Sequence, residues 1–376
     1  MFGFLSSQKG LIYITLGNLI GAALTGGFWL FLASVQNAED YGKTNYQVAI
    51  ASLAASAALL GLNTTVTTYL AKGSEKINVQ ANQVVLIAGA ISAVVVSVID
   101  WVLSVFVIGM TFWMMSIYEL LGRKSYKQYA LANIGARGSQ FLLSILLYYL
   151  LGVPGIIIGF AISFLLFSKQ YLTSTRKFSL DFEEVKGKMK FASHAYSFNM
   201  SNAFLLYFDK LIIAPLFGYL VLGYYQLAFQ FLLFLGMIPI SFYQYLLPEE
   251  SSGSMRQRVP LIGILVSVAL TLALYASSPW ILQTFFPHFM DSLDALRITS
   301  IGIIPMMVVW TLNSRFLSIE RTRYVLIGSA IYIALQISLI IELGGKMGVT
   351  GLALAVVLSL MAQAGFLYAS KKFLRM

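Results

Sequence analysis

Long apolar runs separated by short polar breaks set the plan of this 376-residue chain. About twelve runs approach the roughly 20 residues that a helix needs to cross hydrocarbon. They lie near 10–34, 44–71, 80–100, 102–121, 131–151 and 154–173, then near 191–217, 219–247, 259–283, 294–318, 323–343 and 348–371. Only Asp100 and Trp101 mark the turn between the third and fourth runs. The first run is too long for a cleavable leader and ends in Val35-Gln36-Asn37, so it reads as a span. The pattern predicts an all-α polytopic membrane protein of about twelve transmembrane helices. A six-helix lobe would occupy 1–173, a cytoplasmic linker 174–190, and a second six-helix lobe 191–376.

Two short phrases recur in the same order. Tyr46-Gln47-Val48-Ala49 is echoed by Tyr225-Gln226-Leu227-Ala228, 179 residues on, and Gly152-Val153-Pro154-Gly155 by Gly348-Val349-Thr350-Gly351, 196 residues on. One half of the chain then reads as a diverged copy of the other. Six spans per half is an even number, so both copies enter the membrane in the same direction. A pseudo-two-fold along the membrane normal is expected between them.

Composition agrees with the membrane. Apolar residues make up 59% of the chain and mean hydropathy is +0.80. The formal net charge of +10 would suggest nucleic acid, but the charges fall between the apolar runs, which excludes that reading. With a cytoplasmic N-terminus, nineteen of the 25 Lys and Arg residues fall on inner segments and three (Lys43, Arg297 and Lys346) on outer ones. This bias places both termini on the cytoplasmic side of the cell membrane. Trp29, Trp101 and Trp280 fall at outer ends. The chain has no cysteine and two histidines, His194 and His288, on opposite sides, so the sequence offers no thiolate or histidine metal site. No Walker phosphate loop is present, and no cofactor is expected.

Several stretches carry a family resemblance. They are Asp40-Tyr41-Gly42 with Ala49-Ile50-Ala51-Ser52-Leu53 and Leu60-Gly61-Leu62; Ser201-Asn202 with Phe208-Asp209-Lys210-Leu211-Ile212-Ile213; and Leu222-Gly223-Tyr224-Tyr225 and Ala228, ending in Pro239 and Leu247-Pro248-Glu249. In order and spacing they resemble the polysaccharide flippases of the multidrug, oligosaccharidyl-lipid and polysaccharide exporter superfamily. The chain is shorter than many members. The resemblance implies a transporter, not an enzyme. It would flip a polyprenyl-(pyro)phosphate-linked oligosaccharide from the inner to the outer leaflet by alternating access of two lobes, for surface glycan synthesis. The implied partners are membrane lipid and the lipid-linked glycan, with other polysaccharide-assembly proteins as further candidates and no nucleic acid. Coupling to a proton or sodium gradient stays open.

Ionisable groups inside hydrocarbon are costly, so they mark candidate sites. Three cations lie inside the spans: Arg137 in span five, Lys210 in span seven and Arg315 in span ten. Lining a cavity, they would pair with the carrier's phosphates, and Arg can grip phosphate oxygens bidentately. Against this, all three could snorkel to an interface. Asp209 falls with Asn199, Asn202 and Lys210 on one arc of about 100°. It reads as a lumen or protonation site, or as half of a structural pair. Asn18, within a Gly17-x-x-x-Gly21 phrase, and Gln226 offer amides to a sugar, or to a neighbouring helix. Pro239 and Pro305, within spans eight and ten, are candidates for gating or for fixed kinks.

Two other functions compete. A cation-coupled drug antiporter of the same superfamily is disfavoured because spans one and two carry no acidic residue. A membrane polysaccharide polymerase or ligase is disfavoured by outer loops of about ten residues or fewer.

Overall fold

The structure, a computed structural model, describes residues 2–175, 181–251 and 258–373. Arg176, Lys177, Arg256 and Arg375, counted above among the inner charges, lie outside them. Every regular element among the described residues is helical. Helix α1 covers Phe2–Val35, and α2 (Ala38–Ala58) follows a two-residue break. α2 starts six residues before the run predicted at 44, because Asn37 caps it. The Asp40 N–H donates to Asn37 Oδ1 at 2.8 Å, and Asn37 Nδ2 returns a bond to Asp40 Oδ2 at 2.9 Å.

The second predicted span is a bent pair, α2 and α3 (Leu62–Leu70), at 49°. Leu60 and Gly61 both take left-handed φ at the bend. α4 (Glu75–Ser97) and α5 (Trp101–Gly122) divide at Asp100, as the sequence suggested. Asp100 accepts the Val102 N–H at 3.1 Å and so caps α5, and it also accepts from Gln47 Nε2 at 3.0 Å. α6 (Tyr126–Leu151) leads into α7 (Val153–Leu166), which bends by 61° into α8 (Lys169–Thr175).

The short α9 (Glu183–Gly187) lies in the linker, and α10 runs from Met189 to Ser251. At 63 residues α10 would reach about 95 Å at 1.5 Å per residue, about three times the hydrocarbon thickness. It breaks at Gly218, the position predicted between spans seven and eight. α11 covers Arg258–Phe285, and a 3₁₀ turn over Pro287–Ser292 leads to α12 (Leu293–Ile301) and α13 (Ile303–Ser318). The interruption at Gly302 stands one turn before Pro305, whose missing N–H leaves the Ile301 carbonyl without its helical donor. The 52-residue α14 (Thr322–Phe373) breaks at Gly348.

Seven of the described helices, and the Pro287–Ser318 run of the 3₁₀ turn with α12 and α13, are long and apolar enough to cross a membrane, and two bent pairs also qualify. The two longest each break near their middle, so the helices supply the twelve crossings read from the sequence. Their exposed faces are apolar. Val94, Val95, Val98 and Ile99 near the end of α4 are all more than 60% exposed, a face suited to lipid and unsuited to water.

The glycine phrases repeat in backbone as well as in letters. Gly152 has φ 69° and ψ −148°, and Gly348 has φ 57° and ψ −134°. This mirror of the extended region is open to glycine and strained for other residues. Three residues later, Gly155 lies against the Leu147 carbonyl and Gly351 against the Leu343 carbonyl, so a Cβ at either would collide with backbone. In both copies the carbonyl belongs to the residue eight positions earlier.

Contacts group the chain into two compact units. Unit one holds residues 1–29 and 44–211; unit two holds 30–43 and 212–376. In unit two, Gly42 on α2 and Gly223 on α10 let two helices cross backbone to backbone. Gly42 faces the Tyr219 carbonyl and Gly223 faces the Ala38 carbonyl. Tyr41 and Tyr224, neighbours of these glycines, both meet the buried Phe289 ring edge-on, at 5.6 and 6.2 Å.

Candidate functional site

In unit one, Arg137 projects from the middle of α6. Its Nη1 donates to Gln140 Oε1 at 2.9 Å, one turn along the same helix. Its guanidinium lies 4.8 Å from the centre of the Trp113 ring on α5 and 5.8 Å from Phe164 on α7. Those rings stack on each other at 4.8 Å and 20°. The cation therefore sits on an aromatic shelf, which favours charge over the ring faces. Among the described residues no carboxylate lies within 4.0 Å of it. Tyr129 and Tyr207 are near enough to interact with it electrostatically. The Tyr129 hydroxyl donates to Asn18 Oδ1 at 2.7 Å, joining α6 to α1.

A second set of polar groups lies in the same unit. Asn199 on α10 donates to Asn63 Oδ1 at 3.2 Å and to Thr64 Oγ1 at 3.1 Å, and Asn63 also bonds the Tyr118 hydroxyl. Asn202 is exposed. Asp209 and Lys210 are both buried and paired, Nζ to Oδ1 at 3.1 Å, and Nζ also donates to the Leu206 carbonyl at 3.1 Å. Neither is a partner of Arg137. The structure thus joins Asn18 to the Arg137 neighbourhood through Tyr129, and couples Lys210 to Asp209.

In unit two, Arg315 lies in the last turn of α13, beside Glu250 of α10 and Lys371 of α14. The Ser314 hydroxyl donates to Glu250 Oε2 at 2.6 Å. Gln226 is buried, and its Oε1 has no hydrogen-bond partner among the described residues. Pro305 marks the α12–α13 interruption. Pro239 lies within α10 away from its break at Gly218.

The backbone has solved relatives. An inward-facing multidrug-resistance MATE family transporter of the MOP superfamily superimposes with a TM-score of 0.72 at 16% identity, covering 95% of this chain and 94% of its own. The lipid II flippase MurJ superimposes at 0.64 and 16%, covering 98% of this chain and 81% of its own. A eukaryotic MATE transporter does so at 0.53 and 14%, over 98% and 96%. The chain shares the fold of these structures. No protein-family model matches it, and neither does any curated protein. These structural neighbours are transporters and flippases, not enzymes, and their substrates differ.

Sequence reading missed a buried carboxylate network among the described residues. Glu119, in the last turn of α5, is fully buried. It accepts from Arg123 Nε at 2.8 Å, from Gln170 Nε2 at 2.8 Å and from the Ser174 hydroxyl at 2.9 Å. Arg123 also grips Glu75 with both terminal nitrogens at 2.8 Å. Those bonds hold the Arg123 guanidinium above its usual pKa. The signal was present: Glu119 and Arg123 stand four apart at a helix end, the spacing of an intrahelical pair. The network ties α4, α5 and α8 together, and every carboxylate oxygen of Glu119 is engaged by a donor.

Proposed function

We propose that this protein flips a polyprenyl-(pyro)phosphate-linked oligosaccharide across the cell membrane, with both termini cytoplasmic, and that Arg137 holds the carrier's phosphate. The observation that supports this is the Arg137 environment. A half-buried guanidinium with no carboxylate partner among the described residues leaves its charge open to a ligand. Trp113 and Phe164 orient it, and Gln140 uses only one of its five N–H donors. Arg presents a planar fork suited to two phosphate oxygens. The hydroxyls of Tyr129 and Tyr207 and the amide of Asn18 suit a polar glycan nearby.

The site's chemistry weighs against a cation-drug antiporter. Such a carrier needs an acid free to take a cation or a proton. In unit one the buried acids are committed, Glu119 to three donors and Asp209 to Lys210. Arg315 is proposed as a second contact for the anionic carrier, and Lys210, Asp209, Asn202 and Gln226 as residues along the substrate path. Pro239 and Pro305 are proposed as points of helix movement.

Reconstituted liposomes carrying a fluorescent polyprenyl-phosphate glycan test the reading. Arg137→Ala should slow flipping by about 10- to 100-fold, the loss of one strong charged contact. Arg137→Lys should keep part of the activity, since charge survives and the fork does not. Wild-type flipping by Arg137→Ala would remove this residue from the site. Proton-driven uptake of a lipophilic cation, with no flipping by the wild-type protein, would replace the proposal with the antiporter.

A further inference from the structure

We infer that the end of unit one formed by α3, α4 and α9 is a binding surface for an anionic phospholipid headgroup, centred on Lys72, Lys188 and the Tyr69 ring. Three independent features meet there.

The first is converging charge. Lys72 Nζ lies 5.1 Å from the centre of the Tyr69 ring and Lys188 Nζ lies 4.9 Å from the same centre. Lys72 comes from the turn after α3, and Lys188 from the residue after α9. Two ammonium groups from segments more than a hundred residues apart are thus held over one ring. Neither has an ion-pair partner among the described residues. Two cations gathered at one ring without an acidic partner favour an anion that binds there.

The second feature is that the surface is anchored. α9 is short, but Val185 is buried in a core that includes Leu62, Val66, Ile77 and Tyr171. The Val185 N–H donates to Gln80 Oε1 at 3.2 Å. Its charges are segregated, with Glu183 and Glu184 in the first turn and Lys186 in the last. Glu184 stands four residues before Lys188, but neither acid forms an ion pair with it among the described residues. Glu75, at the start of α4, is engaged by Arg123.

The third feature is an exposed apolar edge beside the lysines. Met189 and Phe191 follow Lys188 directly and are exposed, and Phe191 meets Tyr69 edge-on at 5.5 Å. Exposed apolar side chains next to lysines and an aromatic ring are the composition of a surface lying at the headgroup boundary. An acidic headgroup would place its phosphate near Lys72 and Lys188, and its acyl chains along Met189 and Phe191.

Native mass spectrometry of the full-length protein in mild detergent tests this, with dioleoyl-phosphatidylglycerol and dioleoyl-phosphatidylcholine as competing probes. Each lysine should contribute about fivefold to the preference, so Lys72→Ala with Lys188→Ala should lower it by roughly 30-fold. Lys72→Arg with Lys188→Arg should retain it, and Tyr69→Phe should retain it because the ring remains. The preference should fall as salt rises. No phosphatidylglycerol preference in the wild-type protein would overturn the inference. So would an unchanged preference in the double alanine variant, or displacement of the lipid by millimolar inorganic phosphate. None of these readouts depends on which substrate the protein moves.

Discussion

Glu119 and Glu75 share one arginine, and their unequal burial makes a sharp test. Arg123 bonds both carboxylates at 2.8 Å. The Glu75 side chain is 66% exposed and the Glu119 side chain is 0% exposed. Three donors converge on Glu119, and each hydrogen bond to a charged group is worth about 1.5–3 kcal/mol. Simple addition overshoots, because Arg123 keeps Glu75 after Glu119 is lost. Removing one partner of a buried pair costs about 3–5 kcal/mol, and that is the expected effect of Glu119→Ala. Glu119→Gln keeps the shape and one acceptor, so it should cost roughly half as much. Glu75→Gln should cost less than about 1 kcal/mol, as exposed pairs do. The assay is thermal unfolding in one detergent at one scan rate, because midpoints of irreversible transitions shift with heating rate. If Glu75→Gln lowers the midpoint as far as Glu119→Ala, burial does not set the strength of this network.

Other expectations follow from backbone and charge. Gly42→Ala and Gly223→Ala should each lower expression and melting temperature strongly, since the new Cβ meets a carbonyl that cannot rotate away; a folded, wild-type-like variant would contradict the crossing of α2 and α10. Gly152→Ala and Gly348→Ala have open space but a positive φ in a region nearly reserved for glycine, so each should cost about 1–3 kcal/mol, and by similar amounts if the two turns are copies. Burial pushes the Glu250 carboxyl above its ordinary pKa, against the Ser314 hydroxyl and the cations Arg315 and Lys371, which pull it down. Its contribution to stability is therefore present in acid and lost as pH rises through the folded value. Glu250→Gln should melt like the wild-type protein near pH 4 and higher than it at pH 8; equal midpoints at both values would refute the shift.

Much of the fold was legible because the bilayer constrains it so strongly. Backbone polar groups must bond within a helix, so each apolar run of sufficient length becomes one. Gly218 and Gly348 fall where the runs were divided, and Asp100 caps the helix it was read as preceding. The misplaced starts share a cause. Glu39, Asp40 and Lys43 look like a loop by hydropathy, yet Asn37 caps them into α2, and hydropathy does not register a cap. The bends at Leu60–Gly61 and at 167–168 were invisible for a related reason: an apolar run does not report its direction.

The candidate site divides along the same line. Sequence found Arg137, Lys210 and Arg315 as rare charges inside spans, because their scarcity is itself a sequence property. It also offered Asp209 as half of a structural pair, and the pair forms with the adjacent Lys210; it could not say that Arg137 rests on Trp113 and Phe164, since those partners come from other helices. Glu119 was overlooked because two of its three donors, Gln170 and Ser174, come from α8, about fifty residues away in sequence.

By itself, then, the sequence determined that the chain is an all-helical membrane protein with about twelve apolar runs, and where its few charges within those runs fall. These follow from the cost of exposing polar groups to hydrocarbon, which acts residue by residue along the chain. Tertiary structure alone decided which of those charges meet a carboxylate and which rest against aromatic rings. Pairing is set by distances of a few ångströms between helices, and those distances are fixed by packing.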